Sequence, residues 1–479
     1  MVQTLESSEA RAAVTRANEW QPRIVAMVCN WCTYAGADGA GTARRAYAPN
    51  VRIVRFLCTG RMDPLFIVKA FEQGADGVLI SGCHPGDCHY VQGNLLARRR
   101  FTMFRALMDF LGLDNRRLHF AWVSASEGAK WSRIVDEVTA SVREAGPLPN
   151  WGRLGMGMAN PAHSSPLGHS APRLDARVPP SVEDKQSVST HLQQLAADLL
   201  RKGEISSIVG YSCGTLPEQM VPTFVSDPEQ VSALDWSEHC ANNLAVYLPD
   251  ALKKKGSGKV AIVVKSCDAK AVMGLIRENQ VKREDVLLLG IPCTGLWENG
   301  GLALKCHSCS REVSPSSDWT ITPNGAQKGA ALSEAERKVG ADPRDEQIGI
   351  LESLTSQERW DYWQRQFDRC LRCYACRAVC PMCYCNNCIS DKHRPQWIST
   401  SFDSKGNTAW NIARAMHLAG RCTGCDECTR VCPAGIRLDL LNRRLAREAE
   451  MRFDYHVDED VSTIPPLTSF RPDDPDEFL

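Results

Sequence analysis

The chain has 479 residues, enough for about two to four domains that each bury a core, and 22 of its residues are cysteines. Its 56 basic and 56 acidic residues give a formal net charge of zero, which excludes a global attraction to nucleic acid or to anionic lipid. No run of 18 apolar residues is present and residues 1–13 lack an apolar core, so we expect a cytoplasmic protein without a membrane span or signal peptide. In a reducing compartment, this many cysteines indicate metal ligation and not disulfides.

The first predicted domain, residues 1–145, alternates short apolar strands with helical segments. The strands are predicted at residues 24–28, 51–57, 77–81 and 118–123, with helices such as 64–73 and 101–111 between them. This alternation is typical of an α/β fold with a doubly wound parallel sheet. The first three strands run into cysteines, and we expect these to meet at the carboxyl edge of the sheet.

Five cysteines after these strand ends define the first predicted metal site. They are Cys29, Cys32, Cys58, Cys83 and Cys88. A 2Fe-2S cluster needs four protein ligands, so one of the five is spare, lies beyond the ligand shell, or exchanges with redox state. His84 and His89 each adjoin a cysteine directly, which favours hydrogen bonding to cluster sulfur over Rieske-type ligation.

Residues 146–188 are rich in Pro, Gly and Ser and are predicted as a linker. A second α/β domain, residues 189–355, follows, and a second doubly wound parallel sheet is expected from strands at 206–211, 259–264 and 286–291. Four of its cysteines predict a further 4Fe-4S site. They are Cys267, Cys293, Cys306 and Cys309. Structural zinc and simple buried thiols are the alternatives.

Two identical cysteine runs mark the third domain, residues 356–452. Each has the form C-x2-C-x2-C-x3-C-P, the pattern of bacterial two-cluster ferredoxins, in which the fourth cysteine ligates the other cluster. One predicted 4Fe-4S cluster takes Cys370, Cys373, Cys376 and Cys432. The other takes Cys422, Cys425, Cys428 and Cys380. Structural zinc, the alternative, does not require the third cysteine of each run.

The stretch between Cys380 and Cys422 is predicted to loop out of a compact ferredoxin fold. It contains three cysteines that, with a fourth from the second domain, offer ligands for a further cubane, free thiols being the simpler alternative. These are Cys383, Cys385, Cys388 and Cys213. Four arginines flank the runs and are predicted either to raise cluster potentials or to lie in solvent. They are Arg372, Arg377, Arg421 and Arg430. Residues 453–479 form an acidic tail, predicted to be disordered or ordered on a partner.

Several stretches resemble known families. CNWCTYAGADGAG, CTGRMDP and AFEQGADGVLISGCHPGDCHY are similar to the iron-sulfur (delta) subunit of methyl-viologen-reducing hydrogenases. That resemblance implies a 2Fe-2S domain that passes electrons between a hydrogenase or formate dehydrogenase and the flavin subunit of a heterodisulfide-reductase-type complex, which can bifurcate electrons. KSCDAKAV, GIPC and the paired ferredoxin runs are more loosely similar to the beta subunit of deazaflavin-coenzyme-reducing hydrogenases and dehydrogenases, which binds a flavin such as FAD as well as clusters.

The function predicted from these features is that of a multi-cluster electron-transfer subunit. No nucleophile or general base stands out, so electrons must arrive from one redox protein and leave to another, the expected partner being a heterodisulfide-reductase-like flavin subunit in a hetero-oligomeric complex. The alternative is a flavin-containing oxidoreductase that uses the deazaflavin coenzyme or NAD. A zinc-stabilised interaction module is opposed by the three-cysteine runs. Since the clusters are predicted in separate domains, we also expect loss of Cys425 to spare the N-terminal cluster.

Overall fold

The computed structural model describes residues 20–148, 151, 167, 179–216, 218–254, 256–298, 300–330, 341–476 and 478–479. Residues 1–19 and most of the predicted linker, 146–188, lie outside the described residues. Within the part of the chain that is described, no helix combines the length and apolar character needed to cross a membrane.

The first sheet contains four parallel strands, and the four strands predicted in this region are present. They are β1 (Ile24–Cys29), β2 (Val51–Phe56), β3 (Gly77–Gly82) and β4 (Leu118–Trp122). Their order is β2-β1-β3-β4, with every neighbouring pair parallel. Strand β1 pairs with β2 on one side and with β3 on the other, so the chain reverses its direction of progress across the sheet at β1. The carboxyl ends of β1 and β3 therefore lie side by side, at the position where a crevice opens in such sheets.

Helices cover both faces of this sheet. They are α1 (Thr33–Thr42), α2 (Pro64–Glu72), α3 (Gly93–Phe110) and α4 (Gly128–Ala145). Alternate strand residues enter two separate hydrophobic clusters, one shared with α1 and α4 and the other with α2 and α3. This is the expected result of side chains that alternate across a strand with both faces buried.

The second sheet has six strands and is mixed. Its strands are β5 (Ile205–Cys213), β6 (Met220–Val225), β7 (Lys259–Val264), β8 (Val286–Gly290), β11 (Trp319–Thr322) and β12 (Gly325–Lys328). The order is β12-β11-β8-β7-β5-β6, in which the four central strands are parallel and the two edge strands antiparallel. The all-parallel prediction was therefore wrong at the edges, because short turns join β5 to β6 and β11 to β12, and only antiparallel strands can be joined in that way.

Smaller elements complete this region and the cysteine-rich one. The hairpin β9 (Trp297–Glu298) and β10 (Gly301–Leu302) and the helices α5 (Val182–Arg201), α6 (Leu248–Lys253), α7 (Ser266–Arg277) and α8 (Leu304–His307) belong to the second sheet region. The helices of the cysteine-rich region follow; they are α9 (Pro343–Glu352), α10 (Ser356–Asp368), α11 (Ala375–Ala378), α12 (Ser404–Leu418), α13 (Glu427–Arg430) and α14 (Leu438–Phe453).

Helix α12 lies in the stretch predicted to loop out, yet it is buried on almost every side. That prediction was wrong for this helix, because it packs between its neighbours.

One hydrophobic core joins the first sheet region to the cysteine-rich region. Residues of α2 and α3 belong to the same buried cluster as residues of α10, α12 and α14. Phe110 packs against Trp363 with ring centroids 5.5 Å apart. At Gly112, where φ is +95°, a Cβ would meet the carbonyl oxygen of Ser356 at 2.2 Å, so only glycine permits this close approach. The first sheet region and the cysteine-rich region, which the sequence analysis treated as separate domains, therefore share one hydrophobic core.

The acidic tail lies on the first sheet of its own chain. Leu479 donates its backbone N–H to Phe120 O (3.0 Å) and accepts from the N–H of Trp122 (3.1 Å), which continues hydrogen bonding beyond β4. The Phe478 ring packs at a tilt against the Phe120 ring, with centroids 4.5 Å apart. The Asp474 carboxylate is held by Arg99 through two hydrogen bonds. The predicted disorder, or ordering on a partner, was therefore wrong for the described residues of this segment.

Candidate metal centres

The carboxyl ends of β1 and β3 bring the first cysteines together. Cys29 Sγ and Cys83 Sγ are 3.6 Å apart, and Cys32 completes a group of three whose sulfur atoms all lie within 4.8 Å. Cys58 Sγ and Cys88 Sγ form a second pair at 3.9 Å. A tetrahedral metal with sulfur ligands at about 2.3 Å places two of them roughly 3.8 Å apart, so both pairs have the spacing of thiolates on one metal ion.

Cys29, Cys58 and Cys83 differ in pKa because burial and hydrogen bonding act on them unequally. The hydrogen bond from Cys83 lowers the pKa of Cys29 to about 6, despite burial. The same bond, followed by burial, raises the pKa of Cys83. Burial raises the pKa of Cys58 to about 11, and the negative charges of Cys88 and Cys29 act in the same direction. Thiolates crowded in this way repel one another, and a bound metal would offset that repulsion.

Two residues that sequence reasoning missed shape this site. A Cβ at Gly93 would stand 2.3 Å from Cys58 Sγ, so the first residue of α3 must be glycine for the thiol to fit. Asn94 donates from its side chain to the carbonyl oxygens of Cys83 (3.0 Å) and His84 (2.7 Å), which fixes the loop. Neither residue carries a recognisable signal in one sequence, because their role depends on a loop that folds back over them.

The two histidines of the loop have partners of their own. His84 Nε2 lies 2.7 Å from a carboxylate oxygen of Glu127. The pKa of Glu127 is lowered to about 2, first by the N–H of Ser124 and then by His84. His89 stacks on Trp31 at 3.9 Å. The predicted hydrogen bonds from these rings to cluster sulfur remain a prediction.

An exposed apolar patch surrounds the same thiols. It consists of Trp31 (44 % exposed), Leu57 (63 %), Tyr90 (48 %) and Val91 (73 %). The Trp31 Nε1–H donates to the Tyr90 hydroxyl at 3.4 Å. Val91 has a φ of +69°, which is a strained conformation for a β-branched residue. The fold thus holds apolar side chains in solvent beside buried thiols.

The two ferredoxin-like runs adopt the same backbone turns. Arg372 and Tyr374 in the first run, and Gly424 and Asp426 in the second, occupy equivalent positions and all have positive φ. Short helices, α11 and α13, follow at matching positions. The repeated spacing therefore encodes a repeated local structure, as a pair of similar metal-binding loops requires.

The fourth cysteine of the first run crosses to the second run, as the pattern predicts. One internal cavity is lined by Cys380 together with Cys422, Cys425 and Cys428. In the first run, burial raises the pKa of Cys370 and Cys376, and the negative charge of Cys432 adds to both increases. Cys373 is exposed and acts electrostatically on Cys376. Cys380 thus lies with the second run, and Cys432 lies near Cys370 and Cys376; cluster ligation by the two sets remains a prediction.

The four middle cysteines line one larger cavity of about 560 Å³. They are Cys267, Cys293, Cys306 and Cys309. Lys305 connects this cavity to the ferredoxin-like region, because its Nζ donates to Cys425 O at 2.6 Å. Burial would lower the pKa of the Lys305 ammonium, but Cys267 and Glu427 raise it above its usual range. A buried cation therefore stands between the two groups of thiols.

The remaining cysteines have separate surroundings. Cys213 is exposed and donates to Asp235 at 2.9 Å. Cys383 lies beside Cys380, whose hydrogen bond lowers the pKa of Cys383. Cys388 contacts Arg377, and Cys385 is exposed. The fourth cubane remains a prediction.

Comparison with known proteins identifies two regions. Residues 24–146 match the model of the methyl-viologen-reducing hydrogenase delta subunit, and residues 366–436 match a 4Fe-4S dicluster domain. The iron-sulfur subunit of the vhc F420-non-reducing hydrogenase of Methanococcus voltae is 49% identical over 131 residues, 27% of this chain and 91% of that protein. The corresponding hydrogenase subunit of Archaeoglobus profundus is 48% identical over 130 residues, 27% and 95% of the two chains. One subunit of the ferredoxin:CoB-CoM heterodisulfide reductase of Methanosarcina mazei is 39% identical over 141 residues, 29% of this chain and 18% of that protein.

Proposed function

This chain belongs to the methyl-viologen-reducing hydrogenase delta-subunit family and is an iron-sulfur electron-transfer subunit, and we propose which two kinds of redox protein it connects. It passes electrons between a redox partner, of the hydrogenase or formate dehydrogenase type, and a heterodisulfide-reductase-like flavin subunit. The transfer takes place in the cytoplasm, in a hetero-oligomeric complex that can bifurcate electrons. The chain itself supplies cluster ligands and docking surfaces.

The arrangement of the cysteines fits the groups that this function needs. Four of the five N-terminal thiols hold a 2Fe-2S cluster, and the sulfur spacings of 3.6 and 3.9 Å favour the pairs Cys29 with Cys83 and Cys58 with Cys88. The shared cavities favour cubanes on the middle set and on the ferredoxin set that contains Cys380, whereas the cubane on the other ferredoxin set is inferred from the repeated spacing and backbone turns. When bound, such clusters take up and release single electrons. The protein's part is to hold them, bury them and bring them near a partner.

The observation that carries the proposal is the apolar patch beside the N-terminal thiols. Large apolar side chains in solvent, among them two aromatic residues, are typical of protein interfaces. Arg55 and Arg61 are exposed and lie within four residues of Leu57 in sequence, which suits a partner surface with an apolar centre and an acidic rim. A partner that covers this patch would lie next to the first cluster.

The similarity to the heterodisulfide reductase protein supports the choice of partner. The matched segment is a small part of the much longer Methanosarcina mazei protein, so the same kind of domain occurs there within one polypeptide. A domain that is fused to a protein in one organism commonly docks on a related protein elsewhere. For the present chain, a heterodisulfide-reductase-like partner is inferred from that match, and the flavin of that partner is what the family resemblance implies.

The first test measures the metal content of the native protein and identifies the proteins bound to it. Protein purified without oxygen should contain about 10 to 18 iron atoms, from one 2Fe-2S and two to four 4Fe-4S clusters. Crosslinking followed by mass spectrometry should recover a heterodisulfide-reductase-like flavin subunit. Stoichiometric zinc with little iron would contradict the cluster content. A lone monomer that shows flavin absorption and reduces a small hydride carrier would favour the oxidoreductase alternative.

The second test addresses the docking surface with a matched pair of variants. Val91→Asp places a charge in the patch, and aspartate tolerates the left-handed backbone better than valine does. Val182→Asp is the control, because Val182 is 75% exposed, close to the 73% of Val91, but lies at the start of α5. We expect Val91→Asp to reduce crosslinking and electron transfer at least tenfold with unchanged iron, whereas Val182→Asp behaves like the wild type. Equal behaviour of the two variants would refute the assignment of the patch.

A further inference from the structure

Helix α12 carries an arginine into the space between the two ferredoxin-like sites. Arg414 is only 4% exposed. One of its terminal nitrogens donates to the carbonyl oxygen of Cys376, in the first run, at 3.1 Å. The side chain also lines the cavity formed by Cys380 and the second run. A single guanidinium therefore contacts both metal-binding regions.

The positive charge of Arg414 has no carboxylate partner among the described residues. Its Nε is buried and makes no hydrogen bond within that part of the chain. Three of the arginines that flank the runs are paired instead: Arg377 with Asp391 (2.9 Å), Arg421 with Glu278 (2.5 Å) and Arg430 with Glu427 (2.6 Å). An unpaired buried cation is strongly unfavourable unless another source of negative charge lies nearby.

The thiolates of both sites provide that negative charge. Arg414 lines the cavity of Cys428 and Cys380 on one side and donates to the carbonyl oxygen of Cys376 on the other. Four thiolates leave a bound cubane with net negative charge, and each added electron increases it. A cation held at low dielectric therefore stabilises the reduced form most strongly, because the two carboxylates that line the same cavity, Asp426 and Glu427, are paired with Arg344 and Arg430 instead.

We propose that Arg414 is a positioning residue that raises the reduction potentials of both ferredoxin-like clusters together, an inference that rests on the cluster content proposed above. Each reduction is the uptake of one electron, supplied in the test by dithionite, with no bond broken and no proton required. Arg372 provides the contrast, because it is also buried (6% exposed) and lacks a carboxylate in the described chain, but it contacts Tyr374 and Ser399 beside the first run alone. Arg414 thus contacts both ferredoxin-like regions, whereas Arg372 contacts only the first.

The test is an anaerobic redox titration of the cluster-loaded full chain, followed by electron paramagnetic resonance. Arg414→Gln should lower the ratio of reduced to oxidised cluster at least tenfold for both cubanes at any fixed potential, a shift of about 59 mV for a one-electron couple. Arg414→Lys retains the charge and should restore most of the shift. Arg372→Gln should shift one cubane only. The N-terminal 2Fe-2S signal serves as the internal control and should not move.

Each other outcome has a defined meaning. Unchanged potentials in Arg414→Gln, or an equal shift in Arg414→Lys, would overturn the proposal. If Arg414→Gln loads no cubanes but Arg414→Lys does, the charge is required at this position and the proposal stands. Failure of both variants to load would assign the residue a purely structural role and overturn it. A wild-type protein without two 4Fe-4S signals would refute the proposed cluster content, which is a separate result.

Discussion

Replacing Asp474 by asparagine should detach the C-terminal segment from the first sheet. The carboxylate of Asp474 accepts hydrogen bonds from Arg99 Nε (2.5 Å) and from a terminal nitrogen of the same guanidinium (2.7 Å). The Arg99 and Asp474 side chains are 5% and 1% exposed. Arg99 also donates to the Ser469 hydroxyl at 2.9 Å. The ion pair is therefore the buried anchor of this segment.

The size of the effect follows from the burial of the pair. Removing one partner from a buried ion pair costs about 3 to 5 kcal/mol, because the other charge is left buried and unpaired. Asparagine keeps the shape and one acceptor, so we expect the lower end of that range, about 3 kcal/mol. Since about 1.4 kcal/mol corresponds to a factor of ten, local detachment should become roughly 100-fold more frequent.

Hydrogen exchange with mass spectrometry on the loaded protein measures this detachment. In Asp474→Asn, the amides of Trp122 and Leu479, which are bonded across the edge of the sheet, should exchange much faster than in the wild type. Asp473→Asn is the matched control, because Asp473 is the exposed neighbour and should have no effect. Unchanged exchange in Asp474→Asn, or equal acceleration in both variants, would refute the reasoning.

Two further predictions concern the first metal site and the shared core. Gly93→Ala would push a methyl group into Cys58 Sγ and should abolish the 2Fe-2S signal, with a loss of about two iron atoms; Gly41→Ala, which meets no atom within 4 Å, should retain it. Trp363→Ala removes a fully buried ring from the core and should cost about 3 to 5 kcal/mol. Because Phe110 packs on that ring, amides of α3 should also exchange faster; an effect confined to α10 would contradict a common core.

The cysteine sets were predictable because their information is local. The two runs have a spacing that prescribes identical turns, and the crossing of Cys380 follows from that pattern alone. The parallel strands at the centre of each sheet were also predictable, since short apolar strands that end in a cysteine recur along the chain. Strand ends then determined which thiols meet. These features depend on neighbours within a few residues or on a general rule for parallel sheets.

The features that were not predictable depend on contacts distant in sequence. Helix α12 has Asn, Thr and Arg at buried positions, so its sequence lacks the apolar stripe that marks an ordinary helix face. The tail is acidic overall, which favoured disorder, but two of its residues fit pockets on the first domain: Asp474 meets Arg99, and Phe478 meets Phe120. Composition averages over such residues and cannot detect them. The sequence analysis also treated the first domain and the cysteine-rich domain as separate, because the contacts of their common core join residues that are distant in sequence.

The position of the tail has a consequence for biosynthesis. Trp122 and Asp476, whose side chains are hydrogen-bonded, are separated by 354 residues in sequence. At translation rates of about 5 to 20 residues per second, the ribosome needs roughly 20 to 70 s to make the intervening chain, during which the first domain can fold. Throughout that interval the outer edge of β4 has unpaired backbone groups, which are a template for intermolecular strand pairing. The nascent protein is thus exposed to aggregation at this edge until the tail emerges, and chaperone demand should be greatest in that window.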